Sequence, residues 1–171
     1  MNMKKEFLIR PGKVEDAPGI TYVQTYTWKT TYSGLMPEEI LDNRIKELPK
    51  RTENTRRRLE AGDPYLVAET EGKIVGMAVC LPSRNPDYPE DGEIQAIYIL
   101  KEYQKAGIGR QLFSGCMAYL RQQGHENMIV NCLDGNPSAL FYEKMGGVVV
   151  GTRQDPMGDG VINEIIFRFG L

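Results

Sequence analysis

Histidine is nearly absent: His125 stands alone in 171 residues. It follows Gly124, a helix-ending glycine, and reads as a surface position, so no Cys–His nucleophile pair is available. Cysteine is scarce and odd in number, with Cys80, Cys116 and Cys132 only. No two of them have CxxC spacing and each sits among apolar neighbours, the pattern of buried free thiols in a reducing compartment. No metal site is expected. Apolar runs are short: nothing approaches the roughly 18 residues needed to cross a bilayer. The charged stretch Met1–Arg10 lacks the apolar core of a signal peptide. These absences predict a cytoplasmic protein without membrane association. An excess of one charge is also missing. The net charge of −2 removes any global electrostatic case for nucleic acid. An anionic ligand would have to be held by local groups.

What remains is the composition of a globular domain, 41% hydrophobic and 26% charged. The length suits one domain over residues 1–171. A short strand is predicted over Phe7–Arg10 and a helix from Lys13 to about Thr31, interrupted by Pro18-Gly19. A second helix begins at Pro37-Glu38-Glu39 and is ended by Pro49. A third runs from Thr52 to Ala61, its Arg56-Arg57-Arg58 run forming a solvated face. Tyr65–Thr70 and Lys73–Leu81 read as a hairpin turned at Glu71-Gly72. Further on come a strand over Glu93–Leu100, a helix over Gly107–Gln123 and a strand over Met128–Leu133. A helix from Asn136-Pro137 to Met145 is stopped by Gly146-Gly147. A strand over Val148–Thr152, a loop rich in Gly, Asp and Pro, and a last strand over Val161–Phe169 complete the chain. This order describes a mixed α/β domain.

The chemistry concentrates at one junction. The strand ending at Leu100 passes through a short loop with Lys101 and Lys105, and Gly107-Ile108-Gly109 leads straight into an amphipathic helix. Glycine lets backbone approach a ligand closely. The first helical turn presents unpaired N–H groups and the positive end of the helix dipole. Together these make an anion site suited to phosphate. A Rossmann fingerprint needs a third glycine where Leu112 stands, and no Walker A string exists. The pattern that remains is Gln104-x-x-Gly107-x-Gly109 followed by Arg110.

The run from Glu93 to Leu112 around this pattern resembles the central motif of the GNAT family of N-acetyltransferases. A second segment, Asn131, Asn136 and the helix Ala139–Gly147, resembles the second cofactor motif of that family. The two motifs span Glu93–Gly147, and the flanking order of elements is similar over nearly the whole chain. The resemblance implies a GNAT fold: a central, mixed, mostly antiparallel twisted sheet of about six to seven strands flanked by helices. It implies acetyl-CoA as co-substrate. Gln104, Lys105, Ala106, Gly107, Ile108, Gly109 and Arg110 would surround the pyrophosphate. The strand Ile97, Tyr98 and Ile99 would pair with the pantetheine arm as an added strand does. Asn131, Asn136 and Ser138 would meet the same arm.

Transfer of acetyl to an amine requires the amine, with a pKa of roughly 10, to lose a proton. It also requires stabilisation of an oxyanion and protonation of the departing thiolate. The resemblance gives the last role to Tyr142. It gives the proton-accepting role to Glu93, acting directly or through water, and leaves the oxyanion to backbone N–H groups. Cys132 has no histidine partner, so direct transfer without an acyl-enzyme is expected. Tyr26, Trp28 and Tyr32 are candidates to line the acceptor site through cation–π contact. The region Trp28…Tyr32-x-Gly34-x-Met36-Pro37 resembles a subgroup that includes polyamine and phosphinothricin-type acetyltransferases. The expected acceptor is a small primary amine, either a polyamine or an amino-acid-like compound. A protein N-terminal or lysine acetyltransferase and a non-catalytic acetyl-CoA sensor are the alternatives, and a homodimer is compatible with each.

Overall fold

A computed structural model describes residues 6–171; residues 1–5, the start of the charged stretch Met1–Arg10, lie outside the described residues. The chain forms β1 (Leu8–Pro11), α1 (Ala17–Tyr32), α2 (Glu38–Lys46), α3 (Leu48–Glu60), β2 (Tyr65–Thr70), β3 (Lys73–Pro82) and β4 (Gly92–Ile99). It continues with α4 (Ile108–Gln122), β5 (Asn127–Leu133), α5 (Ala139–Lys144), β6 (Val148–Met157) and β7 (Gly160–Gly170). Short 3-10 turns occupy Val14–Asp16 and Lys101–Tyr103.

The strands make one seven-stranded sheet in the order β1-β2-β3-β4-β5-β7-β6. Every neighbouring pair is antiparallel except β4 and β5. This is the mixed, mostly antiparallel sheet that the motif order implies. Tyr65 and Leu66 on β2 show how its faces are covered, because consecutive strand residues point to opposite sides. A Cβ on Gly12 would meet Tyr65, Ile20 and Leu59, so Tyr65 faces α1 and α3. A Cβ on Gly115 would come within 2.7 Å of Leu66, so Leu66 faces α4. Helix α4 buries Ile108, Leu112, Phe113, Cys116 and Leu120, spacings of three and four that make one apolar stripe.

Several boundaries differ from the sequence expectation, and three of these are instructive, two of them at prolines. The predicted helix over Lys13–Thr31 starts only at Ala17, which puts Pro18 in the first turn, where its missing N–H costs no bond. Gly19 then lies against Ile74, too close for a side chain. Pro49 does not terminate the second helix; it stands in the first turn of α3, which begins four residues before Thr52. The third difference is larger. Arg153–Met157, expected in a loop, continues β6, and the register runs from Val148↔Arg168 to Met157↔Gly160. Cross-strand pairing overrides the local turn composition there.

Other local signals act as expected. Glu71 and Gly72 both have positive φ, 51° and 73°, as a two-residue hairpin turn demands. Arg56 and Arg57 pair with Glu53, and Arg58 pairs with Asp63, which leaves that run on a helix surface. No helix among the described residues is long and apolar enough to cross a membrane.

Candidate active site

Pairing between β4 and β5 stops early. Only Gly92↔Met128, Glu93↔Ile129 and Ile94↔Val130 are in register. Strand β3 follows β4 as far as Ile99, so Gln95–Ile99 keeps a partner on one edge and has no strand on the other. A backbone edge of this kind is a template for an extended ligand. Beside it lies a cavity of about 170 Å³. One wall is Ala96, Ile97, Tyr98 and Ile99; the other is Asn131, Cys132, Asn136, Ser138, Phe141 and Tyr142.

The glycine loop closes one end of this groove. Gly107 caps α4 with φ 87°, a left-handed conformation that disfavours side chains. Gly109 lines the groove, and a Cβ there would stand 3.1 Å from Ile99 Cδ1. The first glycine therefore answers a conformational need and the second a spatial one. Gln104 donates from Nε2 to the Ile99 carbonyl at 3.0 Å, tying the loop to the end of β4. Lys105, with φ 62°, Ala106 and Arg110 are exposed around the helix N-terminus. The Ile108 side chain is buried in the core, so that residue offers a ligand only its backbone. Across the groove, Asn136 Oδ1 accepts from the Ser138 backbone N–H at 2.9 Å, which shapes the entry to α5. Asn131 Oδ1 is buried without a hydrogen-bond partner.

Tyr142 is buried among Phe113, Phe141 and Phe167 and still lines the groove. One side chain thus belongs to both the core and the groove wall. Burial, with Cys132 and Tyr98 nearby, raises its phenol well above the usual range. It therefore remains a protonated donor at neutral pH. Burial pushes the Cys132 thiol up to about 11, which disfavours the thiolate an acyl-enzyme would need.

A second cavity of about 240 Å³ adjoins the first, with Tyr32, Ile94, Gln95, Tyr98 and Asn131 common to both. It is strongly charged: Arg84, Glu93, Arg153, Asp155 and Glu164 line it beside Trp28, Met36 and Leu133. Glu93 is one of its innermost groups, with a side chain only 2% exposed. Its Oε2 accepts from the Arg84 backbone N–H at 3.0 Å, and its Oε1 from Arg84 Nη2 at 2.7 Å.

Trp28 and Tyr32 line this cavity, edge to face at 5.1 Å. Trp28 already carries a cation, the Arg44 guanidinium 3.5 Å above its ring. Tyr26 is not brought to either cavity; it stacks on Tyr22 at 4.4 Å, because a step of two residues along α1 turns it away from Trp28. His125 lies apart from both cavities, with Nδ1 2.8 Å from the Glu90 carbonyl oxygen. Sequence reasoning missed Arg84, Arg153, Asp155 and Glu164. Three of them belong to the β6–β7 hairpin, whose alternation places 153, 155 and 164 on one face, a pattern hidden while 153–160 was read as loop.

Comparison with known proteins identifies the context. The model of the acetyltransferase (GNAT) family matches residues 26–147, more than half of the chain. The uncharacterised N-acetyltransferase YuaI of Bacillus subtilis is 32% identical over 79% of this chain and 76% of its own length. A phosphinothricin N-acetyltransferase of Streptomyces viridochromogenes is 25% identical over 84% of this chain and 75% of its own. Among solved structures, the PaiA N-acetyltransferase of Thermoplasma acidophilum in complex with coenzyme A has a TM-score of 0.75 at 22% identity. That match covers 97% of this chain and 99% of the other.

Proposed function

Because the chain belongs to the GNAT acetyltransferase family, we propose that it transfers acetyl directly from acetyl-CoA to the primary amine of a small, amino-acid-like acceptor. The observation that carries this reading is the meeting of two unlike cavities at Tyr32, Tyr98 and Asn131. One is a groove along an unpaired strand edge that starts at a helix N-terminus. Its dimensions and donors suit a pantetheine arm with its pyrophosphate on the N–H groups after Gly107. The other holds charges of both signs, which matches a compound bearing an ammonium and an acidic group. Arg84 and Arg153 are the groups to receive the acid; the carboxylates draw in the ammonium. A polyamine would leave both arginines without a partner in the ligand.

In this reading acetyl-CoA lies along Gln95–Ile99 with its thioester beside Tyr142. Free backbone N–H groups of β4 face the carbonyl oxygen as charge develops on it. The amine loses a proton to a carboxylate of the acceptor cavity and attacks the carbonyl carbon. Tyr142 then protonates the departing sulfur. A relative named for phosphinothricin, matched over most of its length, supports a small acceptor over a protein.

The test is thiol release from acetyl-CoA across amino acids and their analogues, polyamines and peptides. Turnover with zwitterionic amines, at a kcat/KM at least about tenfold above that for diamines of similar length, is expected. Tight acetyl-CoA binding with no turnover of any amine would favour a sensor and sink the reading.

A further inference from the structure

Two carboxylates of the acceptor cavity stand in an arrangement that a simple ammonium trap does not require. Glu164 on β7 lies directly opposite Arg153 on β6, and Asp155 is two residues further along the same face. Arg153 donates from Nη2 to Asp155 at 2.5 Å, whereas its Nε is 3.5 Å from Glu164 Oε2. One guanidinium is thus shared by two carboxylates and bonds well to only one. Glu164 Oε2 is covered and has no hydrogen-bond partner, while the side chain as a whole lines the cavity and keeps 16% of its surface open. Glu93 contrasts with it in the same cavity. Both Glu93 oxygens are occupied by Arg84, so a substrate N–H would have to displace a guanidinium to reach them.

The surroundings decide which carboxylate holds a proton. Asp155 is held below the usual carboxylate range: burial opposes this, and the bond from Arg153 prevails. Glu164 is pushed up to about 7, first by burial and then by the neighbouring Asp155, with Arg153 and Arg84 only partly offsetting both. Tyr98 from β4 and Cys132 from β5 also lie within its field, at the junction with the cofactor groove. Glu93, on β4, is the remaining charged group lining the cavity.

Resting on the acetyl-transfer reading, we propose that Glu164 is the general base for the acceptor amine, with Asp155 as the residue that positions and tunes it. The Glu164 carboxylate takes one proton from the ammonium group and becomes a carboxylic acid. The freed nitrogen lone pair forms the C–N bond to the thioester carbon. The C–S bond then breaks, and sulfur takes the Tyr142 proton. The second nitrogen proton, made acidic by C–N bond formation, returns to the Tyr142 oxygen. Glu164 releases its proton to solvent, so each turnover yields amide, free thiol and one proton. Glu93 anchors Arg84, and thereby the acidic group of the acceptor.

The experiment measures kcat and KM against pH for the wild type, Glu164→Gln, Asp155→Asn and Glu93→Gln, with the best amine from the thiol-release panel. The wild type is expected to lose activity below about pH 7. Glu164→Gln should lower kcat by about 10²-fold or more and abolish that acidic limb, while acetyl-CoA binding stays within twofold. Asp155→Asn should retain activity but move the limb down by about one pH unit, because a negative neighbour is removed. Glu93→Gln should raise KM more than it lowers kcat and keep the limb. Wild-type kcat and an intact limb in Glu164→Gln overturn the proposal, as does loss of the limb in Glu93→Gln alone. A wild type that acetylates no amine overturns the acetyl-transfer reading and this proposal together, an outcome distinct from either.

Discussion

Tyr142 belongs at once to the core and to the wall of the groove. Its ring is the meeting point of Phe113, Phe141 and Phe167, and its burial raises the phenol. A phenol with a raised pKa stays protonated across the neutral range, so a proton donor is in place when the thiolate departs. Tyr142→Phe keeps the ring packing and removes the donor. Its kcat is expected to fall by about 10²- to 10⁴-fold with acetyl-CoA affinity unchanged within twofold, as read by single-turnover kinetics and calorimetry. A wild-type kcat would reduce Tyr142 to packing. Cys132, on β5, illustrates the opposite outcome of burial: a thiol pushed up to about 11 is disfavoured as a nucleophilic thiolate.

At the scale of elements, the entry to α4 and the β6–β7 hairpin do the positioning. Helix α4 is anchored by Ile108 and Leu112, whose side chains sit over Gly76 on β3, where any Cβ would crowd them. The anchoring holds the N–H groups of the first turn at the mouth of the groove. Gly109 is the narrow point, with Ile99 on one side and Phe141 on the other. Gly109→Val is therefore expected to raise the KM for acetyl-CoA by about tenfold or more, a loss of about 1.4 kcal/mol. The change in kcat at saturation should be much smaller. A KM within twofold of wild type would show that the groove does not carry the cofactor past this residue. The hairpin works differently. Glu164 pairs with Leu133 at the very end of β5 and lies opposite Arg153, and Asp155 stands just past that end, so the hairpin sets all three on the wall that faces Trp28 and Tyr32 of α1.

The molecule as a whole depends on β4 and β5 separating after Ile94 and Val130. The opening leaves backbone groups that a fully paired sheet would satisfy, and a bound pantetheine arm would restore that pairing. Ligand binding and folding should then be coupled. At a concentration of acetyl-CoA about 100 times its Kd, the folded state gains about 2.7 kcal/mol, which for a chain of this size corresponds to a rise in Tm of about 5–10 °C. Thermal unfolding followed with and without acetyl-CoA checks this. An unchanged Tm at saturating acetyl-CoA would contradict the binding mode.

Much of this was legible in the residue order because the signals are local. Gly107 and Gly109 before an apolar stripe define a helix N-terminus with room for phosphate, whatever lies around it. Pro37, Gly72 and Gly146 punctuate the chain through their own backbone preferences. The charged cavity was not legible, because it is assembled from α1, the loop at Arg84, the start of β4 and the β6–β7 hairpin. Tyr26 and Trp28 look equivalent as letters and are separated only by the rotation of α1. Arg153, Asp155 and Glu164 look like loop and strand-end charges until cross-strand register sets them on one face. Backbone conformation and helix periodicity are properties of neighbouring residues, so sequence alone determined the strand, glycine loop and helix N-terminus that frame the groove. Which charges face one another depends on register and packing between distant segments, and that was decided only by the tertiary structure.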